Sequence, residues 1–211
     1  MSYDFEPWTR YPPLTKARLS HLADIIRLVR HAAILLHDPA AGDNEWSLGC
    51  RVYVRTCQAL RDAAKLVDWL TILPDTQLLR FTFVVGSIPF KFYRGEADDP
   101  PDHYLIVSYT ELHQQQLALE LDGVRLLDQI LRLAVEVDPK TREVSSVTLV
   151  EMDQAANLTG TYAIPFEAQT PSVTPLRREG VKLPPPPIEP LKKDAEEKDN
   201  ERKDNTSDAG S

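Results

Sequence analysis

Two long stretches near the start of the chain repeat apolar residues at intervals of three and four, the spacing that gathers them on one side of an α-helix. Over residues 14–37 the stripe is Leu22, Ile25, Ile26, Val29, Ala33 and Leu36, with Asp24, Arg27 and Arg30 directed away from it. Asp38-Pro39 ends that helix and Gly42-Asp43 supplies a turn. A second helix is expected over residues 47–70, its stripe formed by Val52, Ala59, Leu60, Ala63, Val67 and Leu70. The short connection folds the pair into an antiparallel hairpin. Neither helix buries its stripe alone, so a further layer must cover them.

The pattern then changes to that of strands. Residues 78–94 read as a hairpin in which Phe81, Phe83, Phe90, Phe92 and Tyr93 fall within thirteen positions, interleaved with Lys91 and Arg94. Residues 131–137 alternate, with Leu131, Leu133, Val135 and Val137 on one face and Arg132, Ala134 and Glu136 on the other. A turn at 139–142 leads to a partner strand at 144–152, and residues 161–166 form a short edge strand ended near Pro165. Between the hairpins a third helix is expected over 109–121. It opens with Ser108-Tyr109-Thr110-Glu111, a capping box in which Ser108 holds the first turn and Glu111 reaches back. Its mixed face of Leu112, Gln116, Leu119 and Glu120 predicts partial burial.

The order α-α-β-β-α-β-β-β, joined mostly by hairpins, predicts an α+β fold: a helical hairpin packed on a mainly antiparallel sheet of about five strands, with one further helix. Residues 1–13, broken by Pro7, Pro12 and Pro13, read as an irregular arm with Trp8 and Tyr11 as loose anchors. Residues 14–169 make the single domain. Residues 170–211 read as a disordered tail led by the four prolines 184–187, then charged and without aromatics, a composition that offers too little apolar surface to offset ordering.

Charge narrows the function classes. The last 31 residues hold six lysines and arginines against eight acids, so −6 of the total −8 lies on residues 1–180. An acidic domain disfavours dedicated nucleic-acid binding, which rests on clustered cations. No basic, apolar leader opens the chain and no apolar run approaches the ~20 residues of a membrane span, which predicts a cytoplasmic protein with no membrane partner. Cys50 and Cys57 lie seven apart, about two helical turns, too far for a mutual disulfide, and read as small buried residues.

Catalytic signatures are sparse. There is no Gly-x-Ser-x-Gly elbow, no Gly-x-Gly phosphate loop, and no ligand-spaced pair among His21, His31, His37, His103 and His113. No cofactor or metal is expected. One enzyme alternative is a metal-dependent nuclease or phosphodiesterase, with Asp102, Glu136 and Asp138 as carboxylates and Lys140 orienting water, although Pro139 puts that set in a turn. The favoured reading is a non-catalytic interaction or accessory protein that presents a sheet face or edge, and its tail, to a larger partner. Lys91 and Tyr93 are expected to look outward beside Arg94 and to contact that partner, because an exposed aromatic next to a cation suits an interface. The same surface carries the other alternative, single-stranded nucleic-acid binding.

Overall fold

The computed structural model describes residues 5–74, 81–122 and 129–166, the side chains of 120–122 apart. The proline-led tail therefore lies outside the described residues. After a short first turn of helix, α1 (Pro7–Arg10), the helical hairpin is formed by α2 (Lys16–Ile34) and α3 (Glu45–Ala64). Each starts at a residue whose side chain satisfies an otherwise unpaired N–H: Thr15 accepts from Arg18, and Asn44 and Ser47 form a reciprocal capping box. In the connection Asp38 accepts from the N–H groups of Ala40 and Ala41.

Helix α3 ends six residues before the sequence pattern suggests. Leu70–Ile72 is instead strand β1, paired antiparallel with β2 (Phe83–Val85). Strand β3 (Ile88–Arg94) follows through a two-residue turn whose first member, Gly86, has φ +64°. Glycine is required there twice over, by the left-handed backbone and because a Cβ would lie 2.5 Å from that of Pro13. After α4 (Asp102–Leu105) and α5 (Tyr109–Asp122) come β4 (Gln129–Val137), β5 (Val144–Asp153) and β6 (Leu158–Ala163).

The six strands form one sheet in chain order, β1 to β6, giving the α+β architecture expected with one strand more. All neighbours are antiparallel except β3 and β4, which run parallel. A parallel pair needs a crossover, and α4 and α5 lie within it. The sheet is thus two three-stranded meanders joined by a parallel seam.

One face packs on α2 and α3. Phe83 and Phe90 are register partners with stacked rings 5.8 Å apart, and Phe92 lies edge-on to Phe81. These rings join Leu19, Leu22, Ile26 and Leu60 from the helices and Leu131, Leu133 and Leu149 from the strands. Truncating one such buried phenylalanine costs about 3–5 kcal/mol. The other face holds Tyr93, Ile130, Ala134, Val150 and Met152 beneath Tyr104, Leu105 and Val107. Both faces are therefore covered.

The N-terminal arm is ordered rather than loose. The Phe5 N–H donates to the Thr161 carbonyl at 3.2 Å, and Trp8 meets Tyr162 edge to face. Tyr11 is buried and donates its hydroxyl to the buried carboxylate of Glu151 at 2.9 Å, which Arg10 also contacts. Prolines broke the periodic pattern here, but a charge inside β5 needs partners, and the arm supplies them.

Candidate functional site

The outward-facing hairpin surface expected from the sequence is not formed. Lys91 is 5% exposed and Tyr93 1%, because α4, α5 and the segment between β3 and α4 lie over that face. Alternation within β3 was read correctly, but a second covering layer is invisible to a period-two pattern. Arg94 alone of the three remains exposed. The Tyr93 hydroxyl donates to the Glu96 carbonyl, and burial, with Asp98 and Glu136 nearby, pushes its pKa up.

The Lys91 ammonium and the Arg132 guanidinium share the buried carboxylate of Glu111, at 2.7 and 2.5 Å. Lys91 also donates to the Ile106 carbonyl, and Arg132 to those of Tyr104 and Leu131. Burial lowers the pKa of Arg132, opposed by Glu111. The capping box is present as well: the Glu111 N–H donates to Ser108 Oγ at 3.3 Å. Glu111 thus serves the helix start and the ion triad together. This is a brace holding α5 to the parallel seam. With no exposed atom of consequence, it presents nothing to a ligand.

The nuclease set does not converge. Asp138 Oδ1 accepts from the N–H groups of Lys140 and Thr141 and from the Thr141 hydroxyl, which makes it the organiser of the β4–β5 turn. Those bonds hold its carboxyl below the usual range. Asp102 begins α4, away in the crossover. Among the described residues no three His, Cys, Asp or Glu side chains gather as a metal site would require.

Two features that the sequence did not signal are better placed. The first concerns α5, in which Leu112, Gln116 and Leu119 of the face expected to be partly buried are exposed. Its inward positions are Glu111, Gln115 and Ala118, while Tyr109, Leu112 and Leu119 face out, Tyr109 being 85% exposed and Leu112 43%. The cause is chemical: Gln115 donates to the Gln129 carbonyl and Gln114 to that of Ser87, so the polar side of the helix satisfies strand ends. Ile106, in the link between α4 and α5, is exposed as well.

The second is a cavity of about 670 Å³ between α2, α3, β3 and α4. It lies where the sheet loses a strand: β2 pairs only with Ile88–Phe90 of β3, so among the described residues Lys91–Arg94 has a strand neighbour only in β4. Phe92, Tyr53, Tyr104 and the rim residue Trp46, 77% exposed, give it aromatic walls. Arg30 lines it although only 2% exposed. The sequence reading directed Arg30 to solvent. Buried positions 19, 22, 23, 26, 30 and 33 of α2 follow the helical period when counted from Leu19; the expected stripe shares Leu22, Ile26 and Ala33 but took Ile25, Val29 and Leu36 in place of Leu19, Ala23 and Arg30. Arg30 Nε donates to the Arg142 carbonyl. Its pKa is lowered by burial and then by the charge of Arg94.

Comparisons with protein-family models, with curated proteins and with solved structures found no match to this chain. No described helix is long and apolar enough to cross a membrane.

Proposed function

We propose that this is a non-catalytic interaction or accessory protein, docking on a larger protein partner through the outer stripe of α5 rather than through the β3 hairpin. The observation that carries the reading is the inversion of α5. A surface helix ordinarily buries its apolar side; here Glu111 and Gln115 are buried while Ile106, Tyr109, Leu112 and Leu119 are exposed. Several large apolar side chains exposed on one short segment favour a contact surface, and tyrosine is enriched in such surfaces. The free thiols Cys50 and Cys57 suit a reducing compartment, which supports a cytoplasmic setting.

The test is capture from native lysate with wild-type protein and with Leu112→Glu/Leu119→Glu, both nuclease-treated. A stoichiometric protein retained by the wild type and lost by the variant, at equal thermal stability, is the expected result. Identical capture by both proteins would remove α5 as the interface.

A further inference from the structure

The cavity beside β3 has no α5 residue in its lining. We infer that it is a binding site for a small amphipathic carboxylate, with an aromatic or alkyl body held between α3 and the end of β3 and its carboxylate on Arg30 and Arg94.

Volume is the first argument. About 670 Å³ lies within the range of sites that enclose small molecules and far exceeds an ordinary packing defect. Its walls are mainly apolar, yet two buried polar atoms at its lining have no partner among the described residues: Arg30 Nη2 and Thr56 Oγ1. Buried polar groups are nearly always satisfied, and a buried guanidinium edge is costly to leave bare. Fixed by its Nε bond to the Arg142 carbonyl, Arg30 keeps that edge available.

Charge gives the ligand's sign. Arg94 also lines the cavity and acts on Arg30 electrostatically. The acids near Arg30 are engaged elsewhere: Glu45 pairs with Arg142 at 2.9 Å and Glu143 with His31 at 2.7 Å. Arg94 has no ion pair among the described residues. Glu45 also stands at the cavity lining, but its carboxylate is committed to Arg142, so Arg30 and Arg94 are two cations at this lining with no ion pair of their own among the described residues, in a chain of net charge −8. A planar guanidinium edge matches a carboxylate, which accepts two parallel N–H bonds. Thr56 adds a hydroxyl donor deeper in the cavity. The aromatic walls exclude a small hydrophilic anion as the best fit, because they would be left wet.

The test uses aryl- and alkyl-carboxylates of about six to twelve carbons, sized to the cavity, each beside its primary amide. 4-Phenylbutyrate against 4-phenylbutyramide is the leading pair. Binding is read by calorimetry and by the Trp46 indole resonance of the full chain. The carboxylate is expected to bind about ten-fold or more tightly than its amide, as one charge-assisted contact requires. Arg30→Met abolishes that preference while leaving amide affinity intact. Arg94→Gln, at an exposed position, reduces the preference without endangering the fold, so the result does not depend on Arg30→Met being stable. Raised salt narrows the gap. Equal affinity for acid and amide in the wild type would overturn the carboxylate assignment. Failure of every probe to shift Trp46 at millimolar concentration would overturn the site itself, and neither result bears on α5.

Discussion

Replacing Glu111 with glutamine removes one charge and almost no volume, so it isolates what the carboxylate contributes. Its oxygens lie 2.7 Å from Lys91 Nζ and 2.5 Å from Arg132 Nη1, with all three side chains nearly or wholly inaccessible. At an effective dielectric of about 20, each contact represents roughly 6 kcal/mol of gross attraction. Removing three ions from water costs several kcal/mol apiece, so the intact triad contributes little net stability. Its removal is another matter. Glu111→Gln leaves two buried cations facing each other with only neutral acceptors, and breaking a buried pair in this way costs about 3–5 kcal/mol. That is a large share of the ~5–15 kcal/mol that holds a domain together. In urea titrations the midpoint is expected to fall while the slope stays constant. The triple variant Lys91→Met/Glu111→Leu/Arg132→Met, which removes every charge, should recover most of the loss. A Glu111→Gln penalty below about 1 kcal/mol would refute the reasoning, because it would mean that the cations are solvated after all.

Other consequences are equally direct. Gly86→Ala combines a left-handed backbone with a Cβ 2.5 Å from Pro13 and should destabilise by about 2–5 kcal/mol; a thermal midpoint unchanged within error would contradict this. Asp43 accepts from the Asp38 N–H and then from Arg51, which hold its carboxyl down to about 2. Its contribution is fully present above the unfolded value near 4 and is lost as pH falls through about 2; carboxyl NMR titration should give that midpoint, and Arg51→Gln should raise it. Cys57 is buried and its thiol pushed up to about 11, whereas Cys50 is exposed, so Ellman's reagent should modify one thiol in the native protein and two in denaturant. Tyr11→Phe removes one charge-assisted donor from the buried Glu151 carboxylate, leaving Arg10 on the other oxygen, and should cost about 1.5–3 kcal/mol, seen in the same urea assay.

Much of the fold was legible because its signals are local. The alternation at 131–137, the aromatic hairpin and the Ser108–Glu111 capping box each arise within a few residues, and each is present. The expectation failed where distant parts of the chain decide. Leu70 reads as the end of a helix until β2 is there to pair with it, and then it is a strand residue. Lys91 and Tyr93 read as surface until the crossover lies over them. Helix α5 is the sharpest case: its mixed face suggested partial burial of Leu112 and Leu119, but the Ser87 and Gln129 carbonyls are met by Gln114 and Gln115, and both leucines are exposed. The candidate site was hidden by an error of about one position in the α2 stripe. Arginine on a helix is read as solvent-facing by default, and only a strict count from Leu19 puts Arg30 inside.

The parallel seam also bears on how the molecule is assembled. Lys91 and Arg132 are direct register partners across it, two like charges placed opposite one another. Such a pair repels, which opposes the favourable Phe92–Leu133 and Tyr93–Ala134 partners beside it. The meanders at 70–94 and 129–163 are built from pairings between near neighbours in sequence, whereas the seam joins distant parts of the chain. The crossover places Glu111 between the two cations, so the charge that offsets their repulsion comes from neither ribbon. The carboxylate thus acts as a rivet: one side chain from the crossover ties two ribbons into a single sheet.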